Sequence, residues 1–277
     1  MFTIFTLYIF ALGAIVGSFL NVVALRWGSK MSAMKGRSVC FHCNRELRWF
    51  EMVPIFSFLF LGGKCRNCKA KLSAQYLLVE IITGLVFVGV FLRQYGLWSI
   101  YGVMPHGLLY SVLFFIFYAV IFSILTVIAL YDIRHKIIPD SLVFSFMILS
   151  LGKLLLFVYF NGLPVSALDT LNLLSPLILS VPFALLWYFS DGEWIGFGDV
   201  KLLFGIGALL GFVCGLSATT LAFWLGTVWA LLALPYFKSA KRKIGWKSEI
   251  PLAPFLIIAA FLVFLWHFDF FGLNLLF

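Results

Sequence analysis

The chain has 277 residues, of which 63% are hydrophobic and 11% charged, whereas a soluble globular domain is near half apolar and about a quarter charged. Its bulk solvent is therefore lipid, which excludes a soluble fold. The formal charge of +9 suggests a nucleic-acid binder, but the basic residues gather beside apolar runs, where membrane topology and anionic headgroups account for them, and nucleic acid is not an expected partner.

A bilayer core about 30 Å thick takes roughly 20 apolar residues per helical crossing. Eight runs approach that length: Phe2 to Leu25, Tyr76 to Leu92, Leu108 to Leu130, Leu142 to Phe160, Ser175 to Phe189, Val200 to Leu216, Ala218 to Phe237 and Pro251 to Phe270. The first has neither a basic n-region nor a small-residue cleavage site and leads straight into Lys/Arg-rich sequence, so it is expected to be a retained helix and not a signal peptide. Lys and Arg near helix ends stay on the cytoplasmic side. Arg26, Lys30, Lys35, Arg37, Arg45, Arg48, Lys64, Arg66, Lys69 and Lys71 fill the first connection, and Lys238, Lys241, Arg242, Lys243 and Lys247 follow the seventh run. With eight crossings and an outside N-terminus, both clusters and the Arg134 to Lys136 turn fall inside, and Arg93 is the main exception. The predicted architecture is an all-α polytopic membrane protein of about eight transmembrane helices, with a small cytoplasmic domain between the first and second.

Residues 26–75 form the only long polar segment, too long for a turn, and are expected to fold by themselves. They contain Cys40-Phe-His-Cys43 and Cys65-Arg-Asn-Cys68. Two Cys-x-x-Cys pairs at this separation let four thiolates converge tetrahedrally on one Zn²⁺, which can hold together a module too small for a hydrophobic core. Disulfides or free thiols are the alternatives, and the reducing cytoplasm assigned to this loop by its charges argues against disulfides. His42 could replace one ligand, but four cysteines already complete the shell. The fifth cysteine, Cys214, sits in an apolar run and reads as a small buried hydrophobe.

Ionised groups near the bilayer are costly, so acids beside the spans raise a functional question. Glu80 lies early in the second run, Asp132 closes the third, Asp140 opens the fourth, Asp199 opens the sixth and Asp269 closes the eighth. Asp169, Asp191, Glu193 and Glu249 stand in polar connections, where solvated or capping acids are expected. Asp132 lies where an apolar helix meets a basic turn, and Asp199 lies in Gly196-Phe-Gly-Asp-Val-Lys201 at the start of another, so both come to the same membrane face. Two carboxylates within a few ångströms cannot both ionise cheaply; they share a proton, one acting as base toward water and the other as acid, which is aspartic-protease chemistry. Gly196 and Gly198 are expected to give the backbone positive φ and let it lie close to an extended substrate. Alone, Gly-x-Gly-Asp also fits a loop ending in a capping acid. Asp140 is the second-choice carboxylate and reads first as an N-cap.

These motifs, taken in order, resemble the type IV prepilin peptidases of bacterial pilus and type II secretion systems, over nearly the whole chain. Gly17-Ser-Phe-Leu-Asn-Val-Val23 is similar to that family's first-helix signature, and the paired cysteine loop with Tyr76-Leu-Leu-Val-Glu80 resembles its cytoplasmic domain and second helix. The Asp132 turn and Gly-x-Gly-Asp-Val-Lys resemble its two catalytic segments, and Ile250-Pro-Leu-Ala-Pro-Phe255 its segment before the last helix. The sequence departs from the family at Cys-Phe-His-Cys, where proline commonly follows the first cysteine, and at Leu252-Ala253, where Phe-Gly is usual. Phe197 fills the variable position of the glycine motif.

The resemblance implies that Asp132 and Asp199 are the catalytic pair, with Gly196, Gly198 and Lys201 in the active-site loop and Cys40, Cys43, Cys65 and Cys68 on Zn²⁺. It implies an enzyme of the bacterial inner membrane that removes the basic leader from prepilins and pseudopilins at the cytoplasmic side, after the leader's final glycine. It also implies methylation of the exposed N-terminal amine with S-adenosylmethionine, an activity associated with the 26–75 loop; residues 1–25 are the first transmembrane helix and 76–277 the protease domain. No Gly-rich nucleotide loop of the Rossmann kind locates the cofactor. Glu80 is the candidate for the new ammonium group, or else it snorkels or pairs with a loop arginine. Lys201 either helps hold the leader side of the site or the anionic acid pair, or anchors its helix at the interface. A transporter using intramembrane acids is the rival class, but it leaves the cysteine loop unexplained and needs acids along a path across the bilayer. A zinc hydrolase needs an open metal position that four cysteines do not leave.

Overall fold

The computed structural model describes residues 2–28, 39–40, 42–43, 45–101, 107–161, 166–239 and 251–273. Lys30, Lys35, Arg37, Lys241, Arg242, Lys243, Lys247, Glu249 and Ile250 lie outside the described residues. Among those described, the long elements are all helices: α1 (Phe2–Arg26), a short α2 (Phe56–Phe60), α3 (Ala74–Tyr101), α4 (Gly107–His135), α5 (Asp140–Asn161), α6 (Ala167–Phe189), α7 (Phe197–Leu210), α8 (Phe212–Ser239) and α9 (Ala253–Trp266).

Each of the eight apolar runs holds most of one helix. Six of them, α1, α3, α4, α5, α6 and α8, are long and apolar enough to cross a membrane, so this is a multi-pass membrane protein. α7 and α9 have 14 residues each, about 21 Å at 1.5 Å per residue and short of a hydrocarbon core of about 30 Å. Eight full crossings thus resolve into six long helices and two short ones. α7 is short because Gly211 ends it. Its φ of 82° and ψ of −177° fall in a region that essentially only glycine occupies. A Cβ on Gly215 would lie 3.7 Å from Gly207 Cα, so the chain folds back at Gly211 and α8 returns beside α7. The sixth run, expected to continue to Leu216, is therefore split by this turn.

The chain divides into two compact units, Met1–Val127 and Ile128–Phe277. In the first, α1 and α3 run antiparallel on small residues. Gly17 faces Glu80 and Thr83, and a Cβ on Gly13 would lie 2.8 Å from Gly84 Cα; such contacts let backbones approach where lipid offers no hydrophobic drive. Asn21 Nδ2 donates to the Gly17 and Tyr76 carbonyls. Phe87 against Phe115 and Gln94 Nε2 donating to Ser111 O hold α4 antiparallel to α3.

In the second unit α7 is the core, with Val200, Leu202, Leu203, Gly205, Ile206, Gly207, Ala208 and Leu209 all buried. A helix that is apolar on every side belongs in such a position. It runs parallel to α5: Lys201 pairs with Asp140, Gly205 seats the Phe146 ring, and Lys153 Nζ donates to Leu209 O. It runs antiparallel to α6, through Trp187 on Phe197 and Ser175 Oγ donating to Gly207 O. α9 lies antiparallel to α8, with Phe255 near Trp229 and the Phe270 N–H donating to Ser217 Oγ. The starts of α5 and α7 therefore share one end of this unit with the last turn of α4, through Ile138 against Gly198.

Candidate active site and metal centre

Asp132 and Asp199 both belong to the second unit, and both stand at this end. Asp132 is in the last turn of α4 and buried. Its carboxyl accepts from the backbone N–H of Ala253, the first residue of α9. That N–H has no partner within its own helix, and a helix N-terminus favours an anion. Asp132 Oδ2 is buried with no hydrogen-bond partner. Asp199 sits in the first turn of α7, half-buried, where its carboxyl accepts from the Gly196 N–H and feels the charge of Asp132. The structure thus brings two acids from separate helices into electrostatic contact.

The glycines act differently from the expectation. Gly196 has φ −73°, and neither it nor Gly198 is among the positive-φ residues, which in this loop are Asp191 and Gly192. The turn that needs positive φ comes earlier, leaving the motif's own backbone ordinary. Gly198 matters for space instead: a Cβ there would lie 2.9 Å from Ile138 Cβ, in the segment linking the Asp132 turn to α5. On Gly196 a Cβ would meet only Asp199 Oδ2, at 3.5 Å.

Lys201 Nζ donates to Asp140 Oδ1 at 2.6 Å and lies 4.9 Å from the Phe144 ring centroid and 5.0 Å from that of Phe197. It ties α7 to α5 and holds Asp140, the second-choice acid, as an ion-pair partner in the first turn of α5. Asp169 makes the capping box of α6 with Ser166, as the solvated-or-capping reading of that acid has it. One participant was missed in the sequence: the Ala253 N–H, which leaves no local signal beyond the prolines that flank it.

The four cysteines of the 26–75 segment converge, with sulfurs all within 4.8 Å of one another. Cys40 Sγ and Cys68 Sγ are 3.9 Å apart, far beyond a disulfide and close to the roughly 3.8 Å separating two thiolates on a tetrahedral Zn²⁺ with 2.3 Å bonds. Two matching knuckles build the centre. Val39 bridges Glu46 and Lys64 bridges Lys71, while the Cys40 N–H donates to Arg45 O and the Cys65 N–H to Ala70 O. N–H groups of Cys68 and Asn67 pull the Cys65 thiol down to about 6, and the Arg45 N–H lowers Cys43. Cys68 moves the other way, to about 11: the Ala70 N–H favours its thiolate, but desolvation and hydrogen bonds to the other sulfurs hold its proton. Sulfurs gathered this closely fit a cation that replaces their protons. His42 is exposed and outside the cluster.

Between the knuckles, Glu51 accepts two hydrogen bonds from Arg45 Nη2 and one from the Arg48 N–H. Glu80 is buried in α3. Its Oε2 accepts from the Ile55 N–H at 2.7 Å, and the Ser18 hydroxyl also bonds to it; among the described residues a backbone amide and a hydroxyl, and no loop arginine, are the partners observed. Cys214 is buried, as expected, with its Sγ 3.4 Å from His267 Nδ1.

Comparison with known proteins identifies the family. Residues 11–94 match the profile of the bacterial Peptidase A24 N-terminal domain, and residues 119–231 match that of the type IV leader peptidase family. The chain is 30% identical to a prepilin leader peptidase/N-methyltransferase of Stutzerimonas stutzeri, over 95% of this chain and 91% of that one. It is 28% identical to one of Bacillus subtilis, over 93% of each. A match to one of Myxococcus xanthus is 37% identical over 139 residues, half of this chain and 37% of that one. No solved structure matches. With near full-length coverage of the first two relatives, the chain belongs to the type IV leader peptidase family.

Proposed function

We propose that the protein is an intramembrane aspartic endopeptidase of the bacterial inner membrane. It removes the basic leader from type IV prepilins and pseudopilins after a glycine, at the cytoplasmic face, and then methylates the new N-terminal residue. The observation that carries this reading is the pairing of Asp132 with Asp199 at one end of one compact unit, in a chain whose relatives are named for both activities. Acids gathered at one end do not trace a path across a bilayer, which weighs against a transporter.

In this mechanism the two carboxyls share one proton. The ionised one takes a proton from water, whose oxygen attacks the scissile carbonyl, and the other protonates the departing amine. The Ala253 N–H orients Asp132 through one oxygen, leaving Oδ2 for the shared proton. Gly198 lets α7 close against Ile138 so that Asp199 meets it. The precursor's apolar helix enters from the lipid while its basic leader stays at the surface, so partitioning supplies much of the affinity. Lys201, held by Asp140, positions α7 and does not touch the reacting bond.

Residues 26–75 serve methylation, and 76–277 cleavage. Cys40, Cys43, Cys65 and Cys68 would hold Zn²⁺ as a closed structural site with no position for water. S-adenosylmethionine, when bound, supplies the methyl group. Glu80, a buried carboxyl whose observed partners are an amide and a hydroxyl, fits a positive group such as the new ammonium. Glu80→Gln should keep cleavage and lose methylation; normal methylation in that variant would remove Glu80 from this role.

Mass spectrometry of a prepilin incubated with purified protein, with and without a chelator, tests the reading, because leader loss and methyl addition change the mass separately. Cleavage that survives chelation is expected. Cleavage that stops with loss of metal would point to a metalloprotease instead.

A further inference from the structure

Residues Met52–Gly63, between the two cysteine knuckles, carry no charge, although they lie inside the chain's most basic segment. Their one short helix, α2, buries none of its residues. Phe56 is 60% exposed, Leu59 61% and Phe60 86%, and nearby Trp49 is 77% exposed. Phe56 and Phe60 stack on each other, at 6.5 Å, and on no other ring among the described residues. An exposed cluster of this kind marks an interaction surface, and its depth identifies the occupant.

That depth is set by Ile55, the residue before α2. Its φ is 64°, a genuine outlier for a β-branched side chain, and its N–H is bonded to Glu80. Glu80 is six residues inside α3, about 9 Å along the axis, and its other partner, Ser18, is eight residues from the end of α1, about 12 Å. The α1 helix, with 25 residues, is about 37 Å long and reaches from headgroup to headgroup of a bilayer 40–45 Å thick overall. Ile55 is therefore held near the boundary between headgroups and hydrocarbon, and α2 leaves from that level.

Charge matches the same partner. Arg48, Lys64, Arg66, Lys69 and Lys71 are all exposed and flank the uncharged stretch on both sides. Basic side chains beside an apolar, Trp-containing surface are the pattern of an element that lies in the plane of an anionic membrane.

We propose that the cysteine module is anchored in the bilayer interface by this segment: Trp49, Phe56, Leu59 and Phe60 insert among headgroups and upper acyl chains, and the flanking Lys and Arg hold anionic headgroups. The inference rests on the Ile55–Glu80 tether and the exposed apolar face, and stands whether or not the module serves methylation. It gives the strained Ile55 backbone a purpose, since the tether keeps α2 at the depth where its ring pair is solvated by lipid.

The test uses the full chain in nanodiscs of phosphatidylethanolamine and phosphatidylglycerol, with a benzophenone-bearing phenylalanine placed at Phe56 or at Phe60. Both sites are exposed, so folding does not depend on them. A third sample with the label at Leu85, an exposed residue of α3, reports ordinary lipid contact. After irradiation, lipid adducts are expected on the peptides of Phe56 and Phe60, as on that of Leu85. Lipid adducts at Leu85 with none at Phe56 and Phe60 would overturn the proposal. So would crosslinks from Phe56 and Phe60 to a second copy of the chain in place of lipid, which would make this face a dimer contact.

Discussion

A Cβ atom on Gly198 would lie 2.9 Å from Cβ of Ile138, closer than unbonded carbons normally approach. The contact joins the loop after Asp132 to the turn that carries Asp199, so a single methyl group here separates the two acids' supports. Gly198→Ala should therefore lower kcat/KM for prepilin cleavage by up to about 100-fold, the cost of misplacing a reacting group by about 1 Å. Gly196→Ala should stay near wild type, because its backbone is ordinary and its Cβ would make only a 3.5 Å contact. Equal effects from the two substitutions would contradict this division of roles.

Lys153 should matter to stability. Its Nζ donates to Leu209 O at 2.8 Å, one of the last carbonyls of α7, which the helix cannot satisfy itself. Lys153→Met keeps the volume and removes the donor, leaving a buried acceptor unpaired at a cost of about 1–3 kcal/mol. Thermal unfolding in detergent should show a lower Tm; an unchanged Tm would mean that another group takes the carbonyl.

Zinc should be present at one ion per chain, since one cluster of four sulfurs is observed among the described residues. Elemental analysis of purified protein reads this directly. Cys65→Ser should reduce the content sharply, while Cys214→Ser should leave it unchanged, because Cys214 lies outside the cluster.

Glu51 gives a pH-dependent signature. The Arg48 N–H and the Arg45 guanidinium hold its carboxyl below the usual glutamate range. A carboxyl depressed in the folded state stabilises above its unfolded pKa, and that stability disappears as pH falls through the folded value. Glu51→Gln should thus lower the Tm at neutral pH, and the gap from wild type should close below about pH 4, where the unfolded-state glutamate titrates. A gap that persists in acid would mean that the variant's effect is packing and not charge.

Much of this was legible because the deciding features are local. Apolar runs long enough to span, cysteine pairs with two residues between them, and acids at the ends of runs all leave their pattern in the sequence. The fold-back at Gly211 was not, since Leu210-Gly-Phe-Val-Cys214 is apolar on both sides of the turn and hydropathy registers no break. The roles of Gly196 and Gly198 were misread because a glycine's spacing does not say whether it serves a turn or a close contact; only Ile138, sixty residues away, decides it. The Ala253 N–H on Asp132 and the Ile55 N–H on Glu80 are likewise long-range contacts between a backbone and an acid, and a backbone donor has no residue type to recognise. α2 escaped notice because its apolar stretch is too short for a span and lies within a basic loop.

In the proposed reaction two acids from different helices, Asp132 and Asp199, act as one pair. The most direct measurement is the mass of a co-expressed prepilin recovered from cells making Asp132→Asn or Asp199→Asn protein, with membrane level and zinc content checked alongside. Each variant should leave the precursor at full length while keeping expression and zinc at wild-type levels. A processed precursor with the Asp132→Asn protein, together with an unprocessed one for Asp140→Asn, would contradict the assignment.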